Sequence, residues 1–134
     1  MDMITTENVS PQSLNEIFDA AFMDCVLDEN GHLTVQGKYT YYVLLESGNK
    51  FIRLLLHIRP REGASVETCR HYCERVNAEM IVLRLAPVNG NESIGMEWHV
   101  SLTGGITPKH LVLCFKEYDE LIQDALQRGA EGVF

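Results

Sequence analysis

The sequence predicts an α+β protein: an antiparallel sheet carrying three helices, in the order α-β(3-4)-α-β-β-α. Three observations lead there. "VSPQSL" at 9–14 and "ITPKHL" at 106–111 share a helix-start pattern, in which Ser10 and Thr107 can cap and Pro11 and Pro108 fit the first turn. "FIRLLLHIR" at 51–59 and "IGMEWHVSL" at 94–102 alternate with the period of two that marks a strand. Short turn signals join the first strands, so neighbours run antiparallel as a meander.

Taken in order, the first helix runs from Pro11 to about Phe22, with Leu14, Ile17, Phe18 and Ala21 on one apolar stripe. Residues 23–27 either pair as a strand or leave a three-strand meander. Asn30-Gly31 turn the chain, Leu33 and Val35 alternate with His32, Thr34 and Gln36, and Gly37-Lys38 turn it again. "YTYYVLLE" at 39–46 is rich in strand formers, and "SGNK" at 47–50 closes the next hairpin. In 51–59, Ile52, Leu54, Leu56 and Ile58 face the core, while Phe51, Arg53, Leu55, His57 and Arg59 face outward; Pro60 stops the strand.

Ser65 caps a helix from Val66 to about Met80, and strands are predicted over 81–88 and 94–102. The last strand sets Met96, Trp98, Val100 and Leu102 on one face and Glu97, His99 and Ser101 on the other. The last helix runs from Thr107 to about Arg128, with Gly129 expected at its left-handed C-terminal position. The whole chain, 1–134, reads as one domain with a flexible N-terminus over 1–8 and a C-terminal tail over 129–134.

Composition narrows the function. A net charge of -8 argues against non-specific nucleic-acid binding, which needs Lys and Arg to neutralise phosphates. No apolar run approaches the roughly 20 residues of a membrane helix. "MDMITTENVS" lacks the basic and apolar regions of a secretory signal, so a cytoplasmic location is expected. The four cysteines are irregularly spaced and do not suggest a disulfide framework.

"CRHYC" at 69–73 is the most suggestive chemical motif. On a helix, Cys69 and Cys73 fall about 40° apart, with Val66, Tyr72, Val76 and Met80 nearby, while His71 lies about 200° away. The cysteines therefore read as core residues and His71 as a surface residue beside Glu67, Arg70, Glu74 and Arg75. Cys114 falls on the apolar stripe of the last helix with Leu111, Phe115, Tyr118 and Ile122. "DENGH" at 28–32 lacks the acidic twelfth position of a calcium loop, and the glycines of "GGITPKH" at 104–110 lack the rest of a phosphate-binding motif. No catalytic residue, metal or cofactor is assigned. Leu113 stands opposite the buried stripe of the last helix, near Val112, Lys109, Lys116 and Glu120, as a candidate contact residue.

The strands carry more apolar surface than three helices can cover, and a half-apolar second sheet face needs a partner, most simply a second copy of the chain. The candidate partner- or dimer-binding residues are Tyr41, Val43, Phe51, Arg53, Leu55, His57 and Leu113.

The run "VLDENGHLTVQGKYTYYVLLESGNKFIRLLLHIRPREGAS", then "VNAEM", then "WHVSLTGGITPKHL", resembles the YbjN-type bacterial proteins, for which a role as sensory transduction regulators has been suggested. The resemblance covers about residues 9 to 127 and rests on the order and spacing of these segments. It implies a type III secretion chaperone-like fold, an α+β sandwich that usually dimerises. The leading expectation is thus a non-catalytic, homodimeric, protein-binding module, chaperone-like or regulatory, with an unidentified protein partner. The alternative is an enzyme or small-ligand-binding protein using a pocket near His57, Glu97 and His99. Nucleic-acid binding would require Arg53, His57, Arg59 and Arg61 to form a local basic patch.

Overall fold

The computed structural model describes residues 2–134. The elements are α1 (Pro11–Ala20), β1 (Cys25–Leu27), β2 (Leu33–Gln36), β3 (Thr40–Glu46), β4 (Phe51–Ile58), α2 (Val66–Glu79), β5 (Arg84–Val88), β6 (Ser93–Ser101) and α3 (Pro108–Arg128). The expected order holds, and the open choice resolves to a four-strand meander because Cys25–Leu27 pairs with Leu33–Val35. The strands form one antiparallel sheet in the order β1-β2-β3-β4-β6-β5. The chain gathers into two compact units, one running to Leu55 with His99–Asp119, the other Leu56–Trp98 with Glu120–Phe134. No helix among the described residues is long and apolar enough to cross a membrane.

In the first unit, Ser10 caps α1 through a reciprocal pair with Ser13: each serine's backbone N–H donates to the other's hydroxyl, at 2.9 and 3.0 Å. Leu14, Ile17 and Phe18 are buried as the 3-4 spacing predicts. The helix ends at Ala20 rather than Phe22, because Phe22 turns left-handed at φ 62°. The register Val43↔Leu54 and Leu45↔Ile52 sets Tyr41, Val43, Ile52 and Leu54 on the face that α1 and α3 cover. Tyr41 meets Phe115 and Tyr118 there edge to face, at centroid distances of 5.5 and 5.1 Å. Residues 1–8 are not a loose lead-in where they can be described: Ile4 is buried and bridges Ile106 through two backbone hydrogen bonds of 2.7 and 3.0 Å.

In the second unit, Ser65 caps α2 by accepting from Thr68 N–H at 3.0 Å. Cys69, Tyr72, Cys73 and Val76 form its buried stripe. Strand β5 begins at Arg84, not Ile81, because Val82 sits at φ 69° and leaves both Ile81 and Val82 exposed. The Asn77 side chain donates to Leu85 C=O at 2.9 Å and accepts from Leu85 N–H at 2.8 Å, which satisfies both backbone groups of Leu85 on the outer edge of β5. Pro87 is tolerated because β5 is an edge strand.

Two expectations for the C-terminus need correction. Gly129 does not take the left-handed conformation. Glycine is needed there for space, since a Cβ would come within 2.8 Å of the Phe134 and Tyr72 rings. Residues 129–134 are also no free tail: Val133 is buried, Phe134 packs edge to face on Tyr72 at 5.3 Å, and Arg61 N–H donates to Val133 C=O at 2.6 Å.

Candidate protein-binding surfaces

The second sheet face of the first unit follows from the register. Opposite the helix-covered side, Tyr42 pairs with Leu55, Leu44 with Arg53 and Glu46 with Phe51, and on the neighbouring strands Tyr42 pairs with Thr34 and Thr34 with Val26. Val26 is 63% exposed and Tyr42 43%. The predicted contact residues Tyr41 and Val43 do not belong to this face. They are buried on the helix-covered side, because the period of two that exposes Tyr42 turns its neighbours inward. Leu55 lies on the open face but is itself buried, facing Tyr42 across the ladder. Phe51 is half-buried against the His99 ring at 6.1 Å, and Arg53 is half-buried with Glu46 at 3.2 Å. Tyr42, Leu44 and Val26 therefore replace Tyr41 and Val43 as the apolar residues that this face offers.

Leu113 is where the helical spacing put it. It is 53% exposed and lines an apolar groove of about 920 Å³ between α1 and the first turns of α3. Ile17, Ala20 and Ala21 form one wall, and Pro108 and Val112 join Leu113 on the other. Thr107 shapes the α3 wall by accepting from His110 N–H at 3.0 Å, which starts the helix directly at Pro108. Glu16 stands on the α1 rim, and Lys109 and Lys116 on the α3 rim. Sequence reasoning picked out only the α3 wall, since nothing in the local spacing of 11–20 says which side of α1 meets residues about 95 positions away.

The predicted pocket residues His57, Glu97 and His99 each contact a neighbour. His57 is exposed, with Nδ1 3.5 Å from the Ser93 hydroxyl. Glu97 is only 9% exposed and pairs with Arg84 at 3.4 Å, as the Arg84↔Glu97 register dictates. His99 lies against Phe51. Arg61 is likewise engaged, its Nε donating to Gly132 C=O at 3.1 Å.

The CRHYC segment follows its predicted faces. Cys69 and Cys73 are buried, while His71 is exposed, with Nε2 3.8 Å from Glu67. Burial pushes the Cys73 thiol up to about 11, with Cys69 and Glu74 adding to the shift. Burial also raises the Cys69, Cys114 and Cys25 thiols. Burial thus favours the neutral thiol over the thiolate at all four positions. Among the described residues, no group of three or more His, Cys, Asp and Glu is arranged around one point that could hold a metal ion.

The raised thiol has a consequence for alkaline stability. Its contribution is fully present below the ordinary thiol range near 9 and is lost as pH rises through the folded value of about 11. Between those values the protein should lose roughly 1 to 3 kcal/mol more than Cys73→Ala does. Urea midpoints followed across that range test this, and parallel pH profiles for the two proteins would refute it.

No family model matches the chain, and no curated protein matches it. Among solved structures, the chain is similar to YbjN from E. coli, a protein for which a role as a transcription regulator has been suggested. The two share 14% sequence identity and superpose with a TM-score of 0.79, over 99% of this chain and 99% of that one. Three helices and a six-stranded antiparallel sheet in the same arrangement give this chain the YbjN fold.

Proposed function

We propose that the chain is a non-catalytic, protein-binding regulatory module that acts as a homodimer. The observation that carries the protein-binding part of the reading is the open sheet face of the first unit. Tyr42 and Val26 are exposed there, with Leu44 half-buried beside them, and among the described residues no element of this unit covers Tyr42 or Val26. An aromatic and aliphatic surface framed by Arg53 and Glu46 suits contact with another protein, where aromatic side chains supply anchors and ion pairs sit at the rim. The suggested regulatory role of the YbjN structure agrees with a binding function and is extended to this chain as part of the proposal.

Two measurements test it. Light scattering at micromolar concentration should return twice the 15.2 kDa chain mass, and a value near that of one chain would refute the dimer. Tyr42→Asp, on the exposed face, should leave the fold intact and abolish capture of the protein partner recovered by the parent chain. Equal recovery by parent and variant would remove the open face from the function.

A further inference from the structure

The end of α1 carries a large side chain that the fold does not use. Phe22 N–H donates to Asp19 C=O at 2.9 Å and Met23 N–H to Phe18 C=O at 3.1 Å, the paired closure that puts one left-handed residue after a helix. That residue is Phe22, at φ 62°. Glycine suits the position, because a side chain crowds the backbone in this conformation. The phenyl ring gains no burial in return, since Phe22 is 99% exposed. Neither helix closure nor core packing accounts for an aromatic ring here.

Directly beside it lies the α1–α3 groove, whose wall includes the preceding residues Ala20 and Ala21. A knob next to an apolar hole on one surface is self-complementary: two copies related by a two-fold axis can each fill the other's groove. The rim charges favour the same pairing. A two-fold axis running along the groove would lay the α1 side of one copy against the α3 side of the other and set Glu16 opposite Lys109 and Lys116 reciprocally. The chain has only four lysines and a net charge of -8, and two of the four stand on this rim. There they balance Glu16 and Asp2, which also lines the groove, so this surface adds no net acidic charge to a contact between copies.

We infer that Phe22 of one copy seats in the α1–α3 groove of a second copy, reciprocally, and that this is the homodimer contact; the inference rests on the homodimer reading above and leaves the open sheet face free for another protein. Sedimentation of the full chain over a concentration series tests it. Phe22→Gly should weaken dimerisation at least about 30-fold. Its urea midpoint, measured at a dilution where both proteins are monomeric, should equal or exceed that of the parent. Lys116→Glu should also weaken the dimer, and Glu16→Lys added to it should restore affinity, a rescue that damage to the fold would not produce. If the parent is monomeric at every concentration, the homodimer reading itself falls. If the parent dimerises and Phe22→Gly dimerises equally well, only the assignment of this contact falls. If the parent is monomeric and Phe22→Gly loses capture of a different protein, the groove belongs to that protein and the second copy is overturned as its occupant.

Discussion

Phe115→Ala should cost about 3 to 5 kcal/mol of stability, a large share of what a domain of this size has to lose. Phe115 is almost fully buried and sits at the meeting point of the first unit's elements. Its ring packs edge to face against Phe18 of α1 at 5.4 Å and against Tyr41 of β3 at 5.5 Å. Truncation removes both aromatic contacts and leaves a cavity that cannot collapse easily, because each neighbouring ring is held by its own element. Tyr41 is fixed further by Tyr118 at 5.1 Å. Leu113→Ala, on the same helix but exposed, should stay within about 0.5 kcal/mol. Urea unfolding of the two variants gives the comparison. A loss below about 1 kcal/mol for Phe115→Ala would show that the aromatic cluster is not the centre of this core.

That cluster was legible one residue at a time. The 3-4 spacing of Leu111, Cys114, Phe115, Tyr118 and Ile122 marks the buried side of α3, and all five are buried. The same arithmetic separated Cys69 and Cys73 from His71. Strand alternation also gave both faces of 51–58, but it could not say which face of 40–46 shares a side with Ile52 and Leu54. That depends on the turn at 47–50, where Ser47, Gly48 and Asn49 all take positive φ and set the pairing Glu46↔Phe51. Reading Tyr41 and Val43 as contact residues placed them on the wrong side of this register. The candidate site was less legible still. Leu113 announced itself as an exposed leucine, but Phe22 reads as the last turn of an apolar stripe until the backbone is seen to turn left-handed beneath it. The sequence offers no glycine there to mark the helix end, so the usual stop signal is missing. Ile81 and Val82 were misread for a related reason. Two apolar residues before a strand look like its beginning, and only the positive φ of Val82 shows that the chain is still turning.

Asp119→Ala should cost about 3 kcal/mol, although Asp119 touches no surface proposed for binding. Its carboxylate accepts the Tyr41 hydroxyl and, at 3.1 and 3.2 Å, the Lys38 backbone N–H. It thereby ties α3 to the β2–β3 turn and to the centre of the aromatic cluster. Removing it leaves a buried tyrosine hydroxyl without this acceptor, and an unsatisfied buried group costs more than the net worth of the bond it loses. Asp119→Asn keeps an oxygen for Tyr41 and should lose less. Tyr41→Phe removes the donor instead and should cost only about 1 kcal/mol, so the double variant should lose clearly less than the sum of the two single changes. The Tyr41 hydroxyl is pushed far above the ordinary phenol range, first by burial and then by its bond to Asp119. Its stabilising contribution is therefore present below the ordinary range near 10 and is lost only as pH rises beyond it. The same carboxylate explains Gly37, where a Cβ would lie 2.7 Å from Asp119 Oδ2. Gly37→Ala should push the carboxylate off its bonds to Tyr41 and Lys38, and adding Asp119→Ala to it should relieve that strain. Strictly additive losses in either double-mutant cycle, measured by urea unfolding, would show that the carboxylate does not join the turn to the core.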